Sequence, residues 1–222
     1  MEYKLRRWIF DLDDTLIVAA PVWQRAETEL YERLGSHFRE ELVASYKGLN
    51  SLGVAGRILE YSGSTDYTSE ECAIYLRDAL LRYSMDPGAI AIDGATELLK
   101  SLGPRVIIAS GSPLPVIQAS VDRFGWGELV DLSISSEEVP MGKPAPDVFL
   151  EAARRAGVIP DECIVVEDSF NGVTAARNAG MFCIAVPSGD RDSICREADL
   201  CYSNLREIDP VAIERTFAQI ET

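Results

Sequence analysis

Two pairs of carboxylates close apolar runs in this sequence and are its strongest chemical signal. Asp11 and Asp13 end the first run, and Glu167 and Asp168 end a later one. Carboxylates this close repel one another unless a cation or a proton relieves them. With oxygen ligands only and no histidine nearby, these acids match the ligand preference of Mg²⁺. The sequence therefore predicts a magnesium site, with the four acids as its candidate ligands.

The spacing within the first pair indicates two different roles. Asp11 and Asp13 are separated by one residue, so one carboxylate can face a bound group while the other approaches from the side. That arrangement suits a nucleophile beside a proton-transfer group. Helix capping by Asp14 and Thr15 is the alternative interpretation of this stretch. Glu167-Asp168 alone would better fit a solvated strand end, and only its combination with the first pair favours a metal site.

Candidate donors for an anion follow two further segments. Ser110 and Gly111 close an apolar run just ahead of a helical pattern, whose first amides can point at phosphate oxygens. Lys143 lies between a glycine and a proline, which restrict the loop that carries it. An isolated loop lysine is usually solvated, so Lys143 is a candidate phosphate ligand only in combination with the acids around it. We predict that Ser110, Gly111 and Lys143 bind a phosphate group.

The elements that must position these residues alternate between short β-branched runs and helical patterns. This alternation is typical of βαβ units and predicts an α/β fold with a doubly wound parallel sheet. The predicted strands are 7–11, 105–110, 129–133, 163–167 and 182–186. The predicted helices are 94–102, 113–124, 146–156 and 171–179, with an amphipathic helix in 205–222. Ligands of such sheets bind beyond the carboxyl ends of the strands, where the acids stand.

One stretch breaks the alternation, because residues 21–83 are helical throughout. A βαβ crossover needs only one helix, so several helices between the first two strands indicate an inserted subdomain. We predict an all-helical cap at residues 18–87 and a core formed by residues 1–17 and 88–222. Asp86-Pro87-Gly88 is the predicted return linker.

Composition excludes several classes of protein. The formal charge of −15 and the pI near 4.5 argue against nucleic acid as a partner, because phosphate-backbone binding needs a basic face. The apolar runs are too short for a membrane span, and no secretory signal is visible. We expect neither nucleic acid nor membrane as partner, and a cytoplasmic location.

The five cysteines form no CxxC pair, and their odd number fits a reduced compartment better than a disulfide framework. Cys163 and Cys183 stand inside apolar, strand-like runs and are expected to be small core hydrophobes. We therefore assign no chemistry to Cys163 and Cys183.

Four motifs in order give a family resemblance over almost the whole chain. DxDxT at residues 11–15 is followed by the apolar strand ending in Ser110, by GKPxPD at 142–147 and by EDSxxG at 167–172. This order resembles the haloacid dehalogenase-like superfamily, and the helical insert after the first motif is similar to the cap of its β-phosphoglucomutase-like branch. The resemblance implies a Rossmann-like core and a magnesium-dependent hydrolase acting on a small phosphorylated metabolite, commonly as a monomer.

The resemblance also implies a role for each site residue. Asp11 would form an aspartyl-phosphate, and Asp13 would protonate the leaving oxygen and later deprotonate water. Magnesium would bind the Asp11 carboxylate, the Asp13 carbonyl and Asp168, with Glu167 ligating or supporting it. Ser110, Gly111 and Lys143 would hold the phosphoryl oxygens.

Two alternatives to a phosphatase stay open from the sequence. A mutase of the β-phosphoglucomutase type would use the same nucleophile, but Trp23 stands where such mutases have a histidine, and Ser51 where they have an arginine. A protein that only binds a phosphorylated ligand has less need of the complete motifs. Asp13 argues against dehalogenases and phosphonatases, which lack it.

The cap is expected to choose the substrate. Trp23, Lys47 and Asn50 are the candidate specificity residues, since they follow the first motif or lie in the cap loop. Trp23 also fits a packing role. The stretch 46–51 and the turn after Ser110 resemble sugar phosphatases of this branch, so a sugar or sugar-acid phosphate is the expected substrate.

Overall fold

In a computed structural model, which describes residues 6–86 and 90–220 with side chains up to residue 215, the core is built on one parallel sheet. Its six strands lie in the order β3-β2-β1-β4-β5-β6. The strands are β1 (Arg7–Phe10), β2 (Val106–Ser110), β3 (Val130–Ser135), β4 (Cys163–Glu167), β5 (Phe182–Ala185) and β6 (Leu200–Cys201). This is the doubly wound order, and its direction reverses beside β1, which creates a crevice at the carboxyl ends of β1 and β4.

Alternating side chains of the buried strands supply both faces of the sheet. Trp8 and Phe10 of β1 pack on one face, and Ile9 packs on the other. The first face is covered by α5 (Ala95–Leu102), α6 (Leu114–Arg123) and α10 (Pro210–Ile220). The second face is covered by α7 (Asp147–Ala156), α8 (Phe170–Asn178) and α9 (Arg191–Glu197). Strands buried on both faces are typical of a parallel sheet, and their sequences are apolar at residues 8–10 of β1, 106–109 of β2 and 163–166 of β4.

The segment between β1 and α5 is helical, as the sequence predicts. It contains α1 (Ala20–Arg33), α2 (Glu40–Tyr46), α3 (Ser51–Ser62) and α4 (Ser69–Ser84). These four helices, called the cap below, enclose an apolar core of their own, which meets the core of the sheet at Val116 and Trp23. The Asn50 side chain caps α3, and Thr68 with Glu71 forms a capping box on α4.

The predicted fold class is confirmed, and the differences lie in short elements. Strand β6 and helix α9 were not predicted, because neither is long enough to show a period. The predicted C-terminal helix is preceded by a 3₁₀ turn at Leu205–Glu207 and begins at Pro210. Part of the predicted linker, residues 87–88, lies outside the described residues.

The cysteine prediction was wrong for one pair. Cys195 and Cys201 form a disulfide, with Cα atoms 5.4 Å apart. The physical reason is the turn from α9 into β6, which folds back the five residues between the two cysteines. Cys72, Cys163 and Cys183 are free and buried. Among the described residues, no helix has the length and apolar character that a bilayer crossing requires.

Candidate active site

The two acidic pairs meet because their strands are neighbours. β1 pairs with β4 so that Phe10 lies opposite Val166, and the Asp11 amide donates to the Val166 carbonyl at 3.0 Å. The carboxylates of Asp11, Glu167 and Asp168 consequently lie within 4.8 Å of one another. All three are buried. A cluster of buried carboxylates needs positive charge close by.

Lys143 supplies part of that charge. Its ammonium group is buried and donates to Asp11 Oδ1 at 2.5 Å, to Glu167 Oε1 at 2.6 Å and to the Ala109 carbonyl at 3.2 Å. Burial alone would lower the pKa of Lys143, but the carboxylates of Asp11 and Glu167 outweigh it and raise that pKa. Burial raises the pKa of Asp11 well above its usual range, against the opposing effect of Lys143.

Glu167 is held on both of its oxygens. While Oε1 accepts from Lys143, Oε2 accepts from the amides of Asp168 and Ser169 at 2.9 and 3.0 Å and from the Ser169 hydroxyl at 3.0 Å. Its carboxylate lies against Gly172, where an added Cβ would be 1.7 Å from Oε1. Glu167 therefore positions Lys143 and the loop after β4, and the absence of a side chain at Gly172 makes room for it.

Gly172→Ala is expected to lower the free energy of unfolding by about 3 kcal/mol, because the new methyl group must displace a buried, paired carboxylate. Urea unfolding monitored by circular dichroism measures the change. Gly127→Ala is the control, since nothing lies within 4 Å of a Cβ there, and its change should stay within about 0.5 kcal/mol. Equal unfolding free energies for the two variants would contradict the proposed packing.

Asp13 receives hydrogen bonds from three neighbours. The Ser112 hydroxyl donates to its Oδ2 at 2.5 Å, the Ser110 hydroxyl donates at 3.5 Å, and the Trp23 side chain is a further donor. Burial raises the pKa of Asp13, against the opposing effect of the hydrogen bonds from Ser112 and Trp23. Ser112, which sequence reasoning did not select, is thus a nearer partner of Asp13 than Ser110 is. The Ser-Gly-Ser triplet of 110–112 was the signal available for it.

Asp168 lies where the cap meets the core. Thr15 donates to its Oδ1 at 3.3 Å, Ser188 donates to Oδ2, and the Lys47 ammonium lies 3.0 Å from Oδ2. Burial and the neighbouring Glu167 raise the pKa of Asp168 to about 6, although Lys47 opposes them. The raised pKa of Asp168 means that the positive charge around it does not fully compensate its negative charge. The cluster of Asp11, Glu167 and Asp168 offers only oxygen ligands and therefore fits a hard divalent cation.

Lys47 connects the cap to two acids of the core. Its ammonium group donates to Asp14 Oδ2 at 2.8 Å and to the Ser188 hydroxyl at 2.5 Å, in addition to its pairing with Asp168. Burial would lower the pKa of Lys47, and the carboxylates of Asp168 and Asp14 raise it overall. Asp14 has φ +60°, and its Oδ1 accepts hydrogen bonds from the amides of Ala19 and Ala20 at the start of α1.

The cap loop at 47–50 lies directly on the core. A Cβ on Gly111 would be 2.6 Å from the Leu49 carbonyl, and one on Gly142 would be 3.1 Å from the Asn50 side chain. Asn171 donates to the Lys47 carbonyl at 2.8 Å. The two core glycines therefore permit a close approach that a larger residue would prevent. Asn50 caps α3 and lies outside the lining of the cavity described next.

A cavity of about 200 Å³ lies between the acids and the cap. Its core end is lined by Asp11, Asp13, Gly111 and Asp168, and its cap end by residues of α1 and α2. The α1 residues are Ala20, Trp23, Gln24 and Glu27. Their spacing of three and four residues places them on one helix face. Trp23 and Lys47 line this cavity, whereas Ser110 and Lys143 lie behind its wall.

Glu27 is the buried acid of the cap end, and sequence reasoning missed it. It is 3% exposed, and its Oε2 accepts from the Tyr46 hydroxyl at 3.0 Å. Burial raises the pKa of Glu27 to about 7, although the Tyr46 hydrogen bond opposes the shift. A glutamate in a helical sequence pattern is normally exposed to solvent, so only the packing of the cap shows that Glu27 is buried.

The free energy of unfolding of Glu27→Gln, relative to that of the wild type, should rise by about 2 kcal/mol as the pH increases from about 5 to about 8. The folded pKa of Glu27 is raised, so its contribution to stability is present below the unfolded value of 4.5 and is lost as the pH rises through about 7. Glutamine does not titrate. Urea unfolding at both pH values measures the difference, and Glu32→Gln on the exposed side of α1 is the control. A constant difference would disprove the raised pKa.

Known proteins resemble this chain along most of its length. The family model of haloacid dehalogenase-like hydrolases matches residues 8–180. A validoxylamine A 7'-phosphate phosphatase from Streptomyces hygroscopicus subsp. limoneus is 30% identical over 208 residues, which are 90% of this chain and 94% of that protein. Hexitol phosphatase B from Escherichia coli (strain K12) is 31% identical over 205 residues, covering 90% and 92%.

The fold is shared with solved structures. A β-phosphoglucomutase from Clostridium difficile superimposes with a TM-score of 0.83 at 21% identity, covering 97% of this chain and 98% of that one. At this identity the likeness shows the fold alone. The family model, which spans the strand ends that carry Asp11 and Asp168, shows the lineage. The chain belongs to the haloacid dehalogenase-like hydrolases.

Proposed function

We propose that this protein is a magnesium-dependent phosphatase that hydrolyses a small phosphomonoester through an aspartyl-phosphate on Asp11. The observation that carries the proposal is the buried contact of Lys143 with Asp11 at 2.5 Å, beside a second acid, Asp13, that faces the same cavity. The full-length relatives named as phosphatases support this reaction type. Among the described residues that line the cavity, Asp11 is the one carboxylate that Lys143 contacts.

The two aspartates divide the reaction between them. An Asp11 oxygen attacks phosphorus while the bond from phosphorus to the ester oxygen breaks, and Asp13 gives its proton to that leaving oxygen. Asp13 then takes a proton from water, whose oxygen attacks phosphorus and releases Asp11 and phosphate. Burial raises the pKa of Asp13, which favours the protonated form that the first step requires.

Lys143 acts electrostatically in this scheme. It partly neutralises Asp11, so that a phosphate dianion can approach the carboxylate. Ser110 ends β2 and Gly111 follows it, ahead of α6. The Ser110 hydroxyl and the Gly111 amide are proposed to receive phosphoryl oxygens. Ser112 and Trp23 are proposed to orient the Asp13 carboxyl through their hydrogen bonds.

The proposed magnesium ligands are the carboxylates of Asp11 and Asp168 and the backbone carbonyl of Asp13. Glu167 is proposed to support the site from behind, since both of its oxygens are already hydrogen-bonded. When bound, Mg²⁺ would neutralise charge on the phosphoryl oxygens and orient the phosphate toward Asp11.

The proposed substrates are phosphates of sugars or sugar acids, of the size that the cavity admits. Its volume of about 200 Å³ lies below the range of roughly 300–1,000 Å³ for drug-sized ligands, which argues against a nucleotide. A relative named a hexitol phosphatase supports a polyhydroxylated leaving group. In this proposal residues 18–87 form the cap that selects it, with Trp23 and Lys47 on its wall.

A mutase is the weaker alternative. It would have to retain a second phosphate, and Lys47 is the one basic side chain among the described residues that line the cavity. That lysine is already engaged by Asp14 and Asp168. We also propose a monomer in the cytoplasm.

Phosphate release from sugar, sugar-acid, polyol, glycolate and nucleotide phosphates tests the proposal, with magnesium and with EDTA. Release that requires magnesium is the expected result. Conversion of a sugar 1-phosphate into its 6-phosphate without free phosphate would instead identify a mutase. Binding of these esters with neither reaction would contradict the enzymatic proposal.

A further inference from the structure

The cap end of the cavity carries a buried carboxylate that phosphate hydrolysis does not use. Glu27 is 3% exposed and lines the cavity. Its Oε2 accepts from the Tyr46 hydroxyl, and no hydrogen bond to Oε1 is formed by the described part of the chain. A single hydrogen bond from a neutral donor does not replace the water contacts that a carboxylate loses on burial. One of its oxygens is thus available to a ligand.

The position of Glu27 matches the far end of a small leaving group. Trp23, which donates to Asp13, and Glu27 are one turn apart on the cavity face of α1. The four residues from Trp23 to Glu27 advance along the helix by about 6 Å. A substrate with its phosphate at Asp11 can therefore place a group at Glu27 if its leaving group has the length of a hexose.

The charge of the cavity indicates what that group is. The cap end is lined by the apolar side chains of Phe38, Val43 and Val54, together with a second acid, Glu40. The single basic residue of the described lining, Lys47, is bonded to acids at the core end. A carboxylate or second phosphate on the leaving group would meet only negative charge here, whereas a cation would meet its complement.

We propose that Glu27 is a specificity-determining residue that binds an ammonium group on the leaving group. The preferred substrates are then phosphate esters of amino sugars or amino polyols rather than of sugar acids. The ammonium donates to Oε1, while Tyr46 holds Oε2 in place. This inference rests on the phosphatase function proposed above and narrows its substrate class.

Four hexose esters of similar size test the inference in the unmodified enzyme. Glucosamine 6-phosphate should exceed glucose 6-phosphate in kcat/KM by about tenfold or more, because a charged hydrogen bond replaces a neutral one. N-acetylglucosamine 6-phosphate, which lacks the charge, should lose this advantage. 6-Phosphogluconate should be the poorest of the four.

Variants assign the preference to Glu27. Glu27→Gln should bring the ratio of glucosamine 6-phosphate to glucose 6-phosphate close to one, whereas Glu32→Gln, the same change on the exposed side of α1, should leave it unchanged. A purely structural role would lower kcat/KM for both esters alike and keep their ratio. Tyr46→Phe, which removes the donor to Oε2, should reduce the ratio and serves if Glu27→Gln fails to fold.

The outcomes separate this inference from the function on which it rests. Magnesium-dependent hydrolysis with no preference for the amine, or a preference that survives Glu27→Gln, overturns the role of Glu27 and leaves the phosphatase intact. No release of phosphate from the four esters or from p-nitrophenyl phosphate overturns both.

Discussion

Asp11→Asn should abolish phosphate release, by more than about 10⁴-fold in kcat, because an amide oxygen is too weak a nucleophile to form the phosphoenzyme. The fold should survive, since Asn has the shape of Asp and Lys143 keeps its bond to Glu167 at 2.6 Å. Steady-state release from the best ester measures the loss, and circular dichroism checks the fold. Turnover near the wild-type rate would refute covalent catalysis by Asp11.

Asp13→Ala is the informative comparison for Asp11→Asn. We expect a loss of about 10²- to 10⁴-fold, the usual contribution of a general acid and base. Formation of the phosphoenzyme from p-nitrophenyl phosphate should be slowed less than its formation from a sugar phosphate. The reason is that p-nitrophenolate can leave without receiving a proton. A burst of p-nitrophenol followed by slow turnover would show that the phosphoenzyme forms and waits for a base. Equal losses in the rate of phosphoenzyme formation from p-nitrophenyl phosphate and from a sugar phosphate would contradict the role of Asp13 as acid.

Lys143→Met should lower the free energy of unfolding by about 3–5 kcal/mol near neutral pH, since it leaves two buried carboxylates without their cation. Lys143 donates to both Asp11 and Glu167, and its ammonium group is fully buried. Catalysis should fall as well, because the phosphate dianion would then approach an uncompensated Asp11. Urea unfolding and phosphate release measure the two effects.

The stability loss of Lys143→Met should grow with pH. Lys143 lowers the pKa of Asp11, so its removal raises that folded pKa further above the unfolded value. A group with a raised folded pKa contributes stability at low pH and loses it as the pH rises. Lys100→Met, at an exposed position of α5, is the control and should change little at any pH. Equal effects of the two lysine variants would contradict the buried pairing.

A double variant separates the Lys143 contact with Asp11 from the one with Glu167. Lys143→Met combined with Asp11→Asn leaves only Glu167 unpaired, so the double variant should unfold less easily than the sum of the single changes predicts. Strict additivity would mean that Asp11 and Lys143 are not energetically coupled.

The sequence was sufficient for the fold class because its signals are local. Uninterrupted apolar runs in β1, β2 and β4 predict strands buried on both faces, and each run ends where its first polar residue appears. The rule that ligands bind beyond the carboxyl ends then predicts that Asp11 and Asp168 meet. The short elements β6 and α9 were not predicted, because their two and seven residues are too few to show a periodic pattern.

The cap side of the site could not be predicted in the same way. Glu27 looks like any acid of an amphipathic helix, and Tyr46 like any residue at a helix end. They meet only because the packing of the four cap helices brings the end of α2 to the cavity face of α1. The disulfide between Cys195 and Cys201 likewise depends on the turn between α9 and β6.

The sequence by itself determined the sheet, the family and the acids at the strand ends, because spacing along one chain segment is enough to specify them. Tertiary structure alone decided which charges pair. Lys47 reaches Asp168 across 121 positions of sequence, and Lys143 reaches Asp11 across 132. Such contacts are set by how the cap and the loops dock on the sheet, and their energies depend on burial, which no local pattern encodes.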